Sequence, residues 1–71
     1  MTIERGILRA FDSAGWKASV QFHGSLSRRV SDIRVNRGLD PAQLQVGRFV
    51  AVAFFEDRNP RDAVVLGVWV P

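Results

Sequence analysis

Apolar and polar residues alternate without a break from Trp16 to His23: Trp16, Ala18, Val20 and Phe22 fall on one side, Lys17, Ser19, Gln21 and His23 on the other. A period of two marks a strand with one face in a core and one in water. Upstream, Gly6-Ile7-Leu8-Arg9-Ala10-Phe11 reads as a first strand, and Asp12-Ser13-Ala14-Gly15 as a turn of residues that bond their own backbone or accept positive φ. The two strands therefore form a hairpin. Gly24-Ser25 interrupts the pattern, and a polar, Arg-bearing stretch leads to Ile33-Arg34-Val35, the end of a third strand starting at Arg29.

The next pattern is a helix start. Asp40 stands at an N-cap position, Pro41 follows where a missing N–H costs nothing, and Gln43 is placed to reach back to the cap. Leu39 and Leu44 have the spacing of a hydrophobic staple, and Gly47 ends the element. The spacing predicts one short helix near 40–46.

Two apolar runs complete the chain. Arg48-Phe49-Val50-Ala51-Val52-Ala53-Phe54-Phe55 and Ala63-Val64-Val65-Leu66-Gly67-Val68-Trp69-Val70 flank a charged loop with an Asn59-Pro60 turn signal. Their length and β-branched content mark them as strands. The order β-β-β-α-β-β, within a single domain spanning 1–71, predicts a mainly β fold: a five-stranded OB-like small barrel plugged by a short helix. An SH3-like barrel is the alternative, and the capped helix favours the first.

The last two strands do not alternate. On the fourth, the choice lies between Phe49, Ala51, Ala53 and Phe55 and the opposite set Val50, Val52 and Phe54; on the fifth, either parity leaves large aliphatic side chains outside. A small antiparallel barrel wets one face of each strand, so an apolar stripe remains for a partner. Val50, Val52, Phe54, Val65 and Trp69 are the candidate interface residues, and the expected partner is a second copy of the chain.

Composition sharpens this expectation. Seventy-one residues without cysteine form at most a small core with no disulfide framework or thiolate metal site, so stabilisation by association is expected. The hydrophobic fraction of 46% and charged fraction of 24% are those of a folding chain. Met1–Gly6 carries none of the features of a signal peptide, and no apolar run reaches the roughly 18–20 residues of a membrane span. The expectation is a soluble protein, cytoplasmic or virion-associated, with no membrane partner.

Catalytic chemistry finds little support. There is one His and no Cys, and Glu56-Asp57 are adjacent and would diverge on an extended strand. The serines lack a Gly-x-Ser-x-Gly elbow, and no phosphate-cradling glycine loop occurs. No catalytic residue, metal ligand or cofactor is expected, and the chain reads as a non-enzyme. Nucleic-acid binding is the alternative function. The net charge is only +3, but the bases are regional, and His23, Arg28, Arg29, Arg34 and Arg48 are the candidates for a basic groove on single-stranded nucleic acid. Trp16 and Phe22 share the core parity of Ala18 and Val20, which leaves that groove poor in stacking platforms.

Two segments carry a family resemblance: Leu44-Gln45-Val46-Gly47-Arg48-Phe49-Val50-Ala51-Val52 and Asn59-Pro60-Arg61-Asp62-Ala63-Val64-Val65-Leu66-Gly67-Val68-Trp69. Together they resemble the OB domains of phage baseplate-hub and tail-spike proteins and of the type VI secretion spike, which join a Gly-led apolar strand, a Pro-bearing loop and a closing Val-Leu-Gly strand. Gly6-Ile7-Leu8 and Val20 fit the same scheme. The resemblance implies a non-enzymatic, oligomeric, often trimeric structural module among phage-type structural proteins. The middle third carries no motif of that family, and no β-helix or lysozyme domain follows the barrel in this sequence. What is implied is an accessory or adaptor piece rather than a spike tip.

Overall fold

The computed structural model describes residues 1–22, 29–56, 59 and 61–71. Its elements are β1 (Thr2–Asp12), β2 (Lys17–Phe22), β3 (Arg29–Val35), a single 3-10 turn (Pro41–Gln43), β4 (Phe49–Phe54) and β5 (Ala63–Trp69). The strands close into a barrel in the order β1-β2-β3-β5-β4, with β4 returning to β1. All neighbours are antiparallel except β3 and β5. This parallel seam requires a crossing connection, supplied by the segment around the 3-10 turn; the antiparallel meander of an SH3-like barrel has no such seam. The fold is an OB-like five-stranded barrel.

β1 makes the closure possible. Its first half pairs with β4 from Thr2 to Ile7 and its second half with β2 from Gly6 to Asp12, so one strand belongs to both walls. The seam itself is short: Arg34 and Val35 stand opposite Val64 and Val65, the Asn36 N–H donates to the Val65 carbonyl at 2.9 Å, and the Asn36 side-chain amide donates to the Leu66 carbonyl at 3.3 Å.

Inside, Leu8, Val20, Ile33, Val50, Val52 and Val65 are fully buried. Leu44 joins this core, and Leu39 packs against it from the edge, so the 3-10 segment plugs one end of the barrel. The helix expected over 40–46 is only this one turn. Its cap is present, with Asp40 Oδ1 accepting from the Ala42 N–H at 2.9 Å. Gln43, however, does not reach back to the cap; its Oε1 accepts from Arg48 Nη1 at 2.6 Å. Extension stops because the Gly47 N–H donates to the Leu8 carbonyl at 2.8 Å and the Leu8 N–H to the Arg48 carbonyl at 2.9 Å, which commits the backbone to β1. Gly47 makes the turn into that pairing with φ of 96°, a left-handed value that favours glycine.

The register is interrupted three times: between Leu8 and Ala10 on β1, between Ala51 and Val52 on the β4–β5 ladder, and between Ala18 and Val20 on the β2–β3 ladder. In the last, β3 carries the extra residue, and Asp32 takes a φ of 61° there. An L-residue pays roughly 1–2 kcal/mol in this region, less for Asp than for most. Asp32→Gly is therefore expected to raise stability by about 0.5–1 kcal/mol, a Tm gain of about 2–8 °C for a domain this size. A thermal melt in which Asp32→Gly unfolds earlier than the parent would contradict this reading of the bulge.

Candidate functional site

Two surfaces follow from these strand positions. The first lies outside β2 and β3. The polar parity of β2 sends Lys17, Ser19 and Gln21 outward, and the register sets Lys17 opposite Arg34 and Gln21 opposite Arg29. Arg61, from the turn before β5, reaches the same region. Lys17, Arg29, Arg34 and Arg61 line one open groove of about 600 Å³ in which Asp32 is the one carboxylate among the described residues. A second cleft of about 400 Å³ shares Lys17 and Arg34 and adds Trp16 and Arg37. Among the described residues none of these cations is in an ion pair.

Trp16 belongs to the β1–β2 turn rather than to the strand, and its φ is 54°. From this left-handed turn the ring packs against the edge of the core that Ala18 and Val20 enter. It is half-buried, meets Phe11 edge-on at 5.2 Å between centroids, and has the Arg37 guanidinium over its face at 5.7 Å. Its buried Nε1 has no acceptor among the described residues, a donor left unpaired at a cost of roughly 1–3 kcal/mol.

Of the residues assigned to a basic groove from the sequence, Arg29 and Arg34 are brought together here. Arg48 is not: it is half-buried and bonded to the Gln43 carbonyl and side chain, where it pins the 3-10 turn. His23 and Arg28 lie outside the described residues. Lys17, Arg37 and Arg61 were not among the sequence candidates. The outward parity of Lys17 was visible, but its pairing with Arg34 and the approach of Arg61 depend on register and closure.

The second surface is the outer wall of β1, β4 and β5. Here the interface assigned from the sequence needs correction: Val50, Val52, Phe54 and Val65 all lie in the core. At the centre of β4 the choice was between Val50 with Val52 and Ala51 with Ala53; the larger pair faces the core, which removes more apolar area from water, and Ala53 is buried as well. On β5 the bulge reverses parity, so Val65 points inward and Trp69 outward although both are odd-numbered. Trp69 alone of the five is on the outside, 42% exposed.

That outer wall is nevertheless apolar. The register aligns Ile7, Phe49 and Trp69 in one row and Ile3, Ala53 and Val64 in another, with Arg5, Ala51 and Gly67 between them. Phe49 and Trp69 meet at 5.9 Å and 74°, and the Arg5 guanidinium lies 4.9 Å from the Phe49 ring centroid. Nothing lies within 4 Å of where a Gly67 side chain would begin, so the wall is open at that position. Ile3 is 57%, Leu66 41% and Val70 65% exposed.

Among the described residues no three His, Cys, Asp or Glu side chains are grouped to hold a metal ion, and no helix is long and apolar enough to cross a membrane. Comparison with protein-family models, with curated proteins and with solved structures found no match to this chain.

Proposed function

We propose that this barrel is a non-enzymatic structural module of the phage tail and baseplate kind, which assembles with copies of itself through the outer wall of β1, β4 and β5. The observation that carries the reading is that Ile3, Leu66 and Trp69 on these strands, and Val70 just after β5, are exposed although the inner faces of the strands already fill the core. A solvent-facing sheet wall normally alternates into polar residues; here the row between the two apolar rows carries one charged side chain among the described residues, Arg5, folded over Phe49.

Fully burying a large apolar side chain contributes roughly 1.5–3 kcal/mol, and these are about half exposed, so four of them supply roughly 3–6 kcal/mol per copy. A two-fold contact counts the set twice, against an association cost of roughly 4–15 kcal/mol. Free copies are thus expected to associate weakly, with neighbouring contacts reinforcing one another in a larger assembly.

Light scattering on a sizing column across a wide concentration range tests this. The parent is expected to run above its 7.9 kDa monomer mass at high concentration. Trp69→Glu and Ile3→Glu, both at exposed positions, should remain folded and shift the association midpoint by roughly 10- to 100-fold. A parent that stays monomeric throughout would sink the proposal.

A further inference from the structure

The cation-lined strip outside β2 and β3 is independent of the apolar wall, and nothing in the assembly reading uses it. We infer that this strip binds single-stranded nucleic acid, with Trp16 as its stacking platform. Four observations carry the inference together.

First, the charge is concentrated: cations outnumber carboxylates along the strip, where the described carboxylates are Asp32 and, opposite Lys17, Asp12. Among the described residues Lys17, Arg29, Arg34 and Arg61 share a groove with one carboxylate, Asp32, and Arg37 extends the cations into the adjoining cleft. Like charges brought together in a concave surface repel one another, and a polyanion relieves that repulsion while releasing its counterions. Second, the strip is long. From Lys17 opposite Arg34 to Gln21 opposite Arg29 is four residues, about 13 Å at about 3.3 Å per residue. One phosphate or carboxylate does not span that length, whereas a chain of regularly spaced anions does.

Third, an aromatic ring stands at one end. Trp16 lines the cleft that shares Lys17 and Arg34, so a chain held on the strip passes the indole. Stacking on such a ring is available to every base, and an acidic polypeptide has no equivalent. The Arg37 guanidinium sits near the outer limit of a cation–π contact, a loose occupant of the place a base would take. Fourth, the ring is held there at a cost. A left-handed φ and an unpaired Nε1 keep Trp16 out of the regular strand, and strain of this kind concentrates at binding sites.

Anisotropy of a dye-labelled mixed-sequence oligonucleotide tests the inference, with a polyglutamate chain of equal length as the competing polyanion. Each phosphate neutralised on a single strand contributes about −0.7 to the slope of log K against log salt, so four contacts weaken binding roughly 50-fold between about 50 and 200 mM salt. Lys17→Glu with Arg34→Glu, both exposed, should lower that slope by about 1.4 without touching the core. Trp16→Ala should cost roughly 5- to 150-fold in affinity. Because Trp16 also packs against Phe11, a second reading comes from the Trp69→Phe chain, in which Trp16 is the only indole: the oligonucleotide should quench its fluorescence, and polyglutamate should not. Absence of binding at about 50 mM salt, polyglutamate binding as tightly, or unchanged indole fluorescence on binding would each overturn the inference.

Discussion

Replacing Gly6 by alanine is expected to cost roughly 3 kcal/mol of stability, and replacing it by valine to leave no folded protein. Gly6 is the residue at which β1 belongs to both walls of the barrel, opposite Phe22 on β2 and Val50 on β4. A methyl group there would overlap Val20 Cγ1, stand 2.9 Å from the Gln21 carbonyl oxygen and 3.3 Å from Phe22 Cδ1. None of these yields easily: Val20 is fully buried and stiff at χ1, and the Gln21 oxygen is backbone. Overpacking a tight core costs about 1–3 kcal/mol and occasionally more. At about 0.05–0.15 kcal/mol per residue, that is a large part of what a domain this size has. Urea unfolding gives the direct measure, and an unchanged midpoint for Gly6→Ala would show that the barrel wall is looser than its geometry. Adding Val20→Ala removes the atom in conflict, so the pair should cost about 1 kcal/mol or more less than the sum of the two.

Gly6 also shows what a one-dimensional pattern omits. The glycine was legible as the start of an apolar run, but β1 begins at Thr2, because Thr2–Arg5 pair with β4 along a stretch with no buried side chain of their own. Pairing without burial leaves no hydrophobic period to read. The strand count, their order and the capped turn at Asp40-Pro41 were legible, since each rests on local chemistry: alternation, β-branched runs, and a side chain that caps its own backbone.

What failed to show was parity beyond a bulge. Alternation is a reliable guide only while the register is continuous. Each interruption here moves a residue to the other face: Trp69 away from the parity of Val65, and the outward residues of β3 around Asp32. Trp16 is a related case, where the alternating pattern runs one residue further than the strand and the left-handed turn decides the ring's direction. The two candidate surfaces were thus half visible. The sequence carried the surplus of apolar residues and the regional bases; bulges and closure decided which of them share a face.

The sharpest consequence is that two adjacent residues must respond in opposite ways to the same change. Val65→Asp is expected to unfold the protein at neutral pH, while Leu66→Asp should leave it folded and weaken self-association. Val65 is wholly buried, paired with Val52 on β4 and beside the parallel seam with Val35. A carboxylate there has no partner among the core residues, all of which are apolar, and an unpaired buried charge costs several kcal/mol, most of the stability of a domain this small. Leu66 is the extra residue of the β5 bulge and 41% exposed. Its contribution to the seam is its backbone carbonyl, which accepts from the Asn36 side chain whatever the side chain of residue 66 is. An exposed substitution of this kind usually changes stability by no more than about 0.5 kcal/mol. Circular dichroism with thermal melting reads the folding of both variants, and light scattering reads the assembly of the one that folds. A folded Val65→Asp beside an unfolded Leu66→Asp would mean that the bulge lies elsewhere and that β5 presents the opposite face to the core. In that case the apolar wall assigned to assembly would be interior, and both the interface and the closure of the barrel would have to be redrawn.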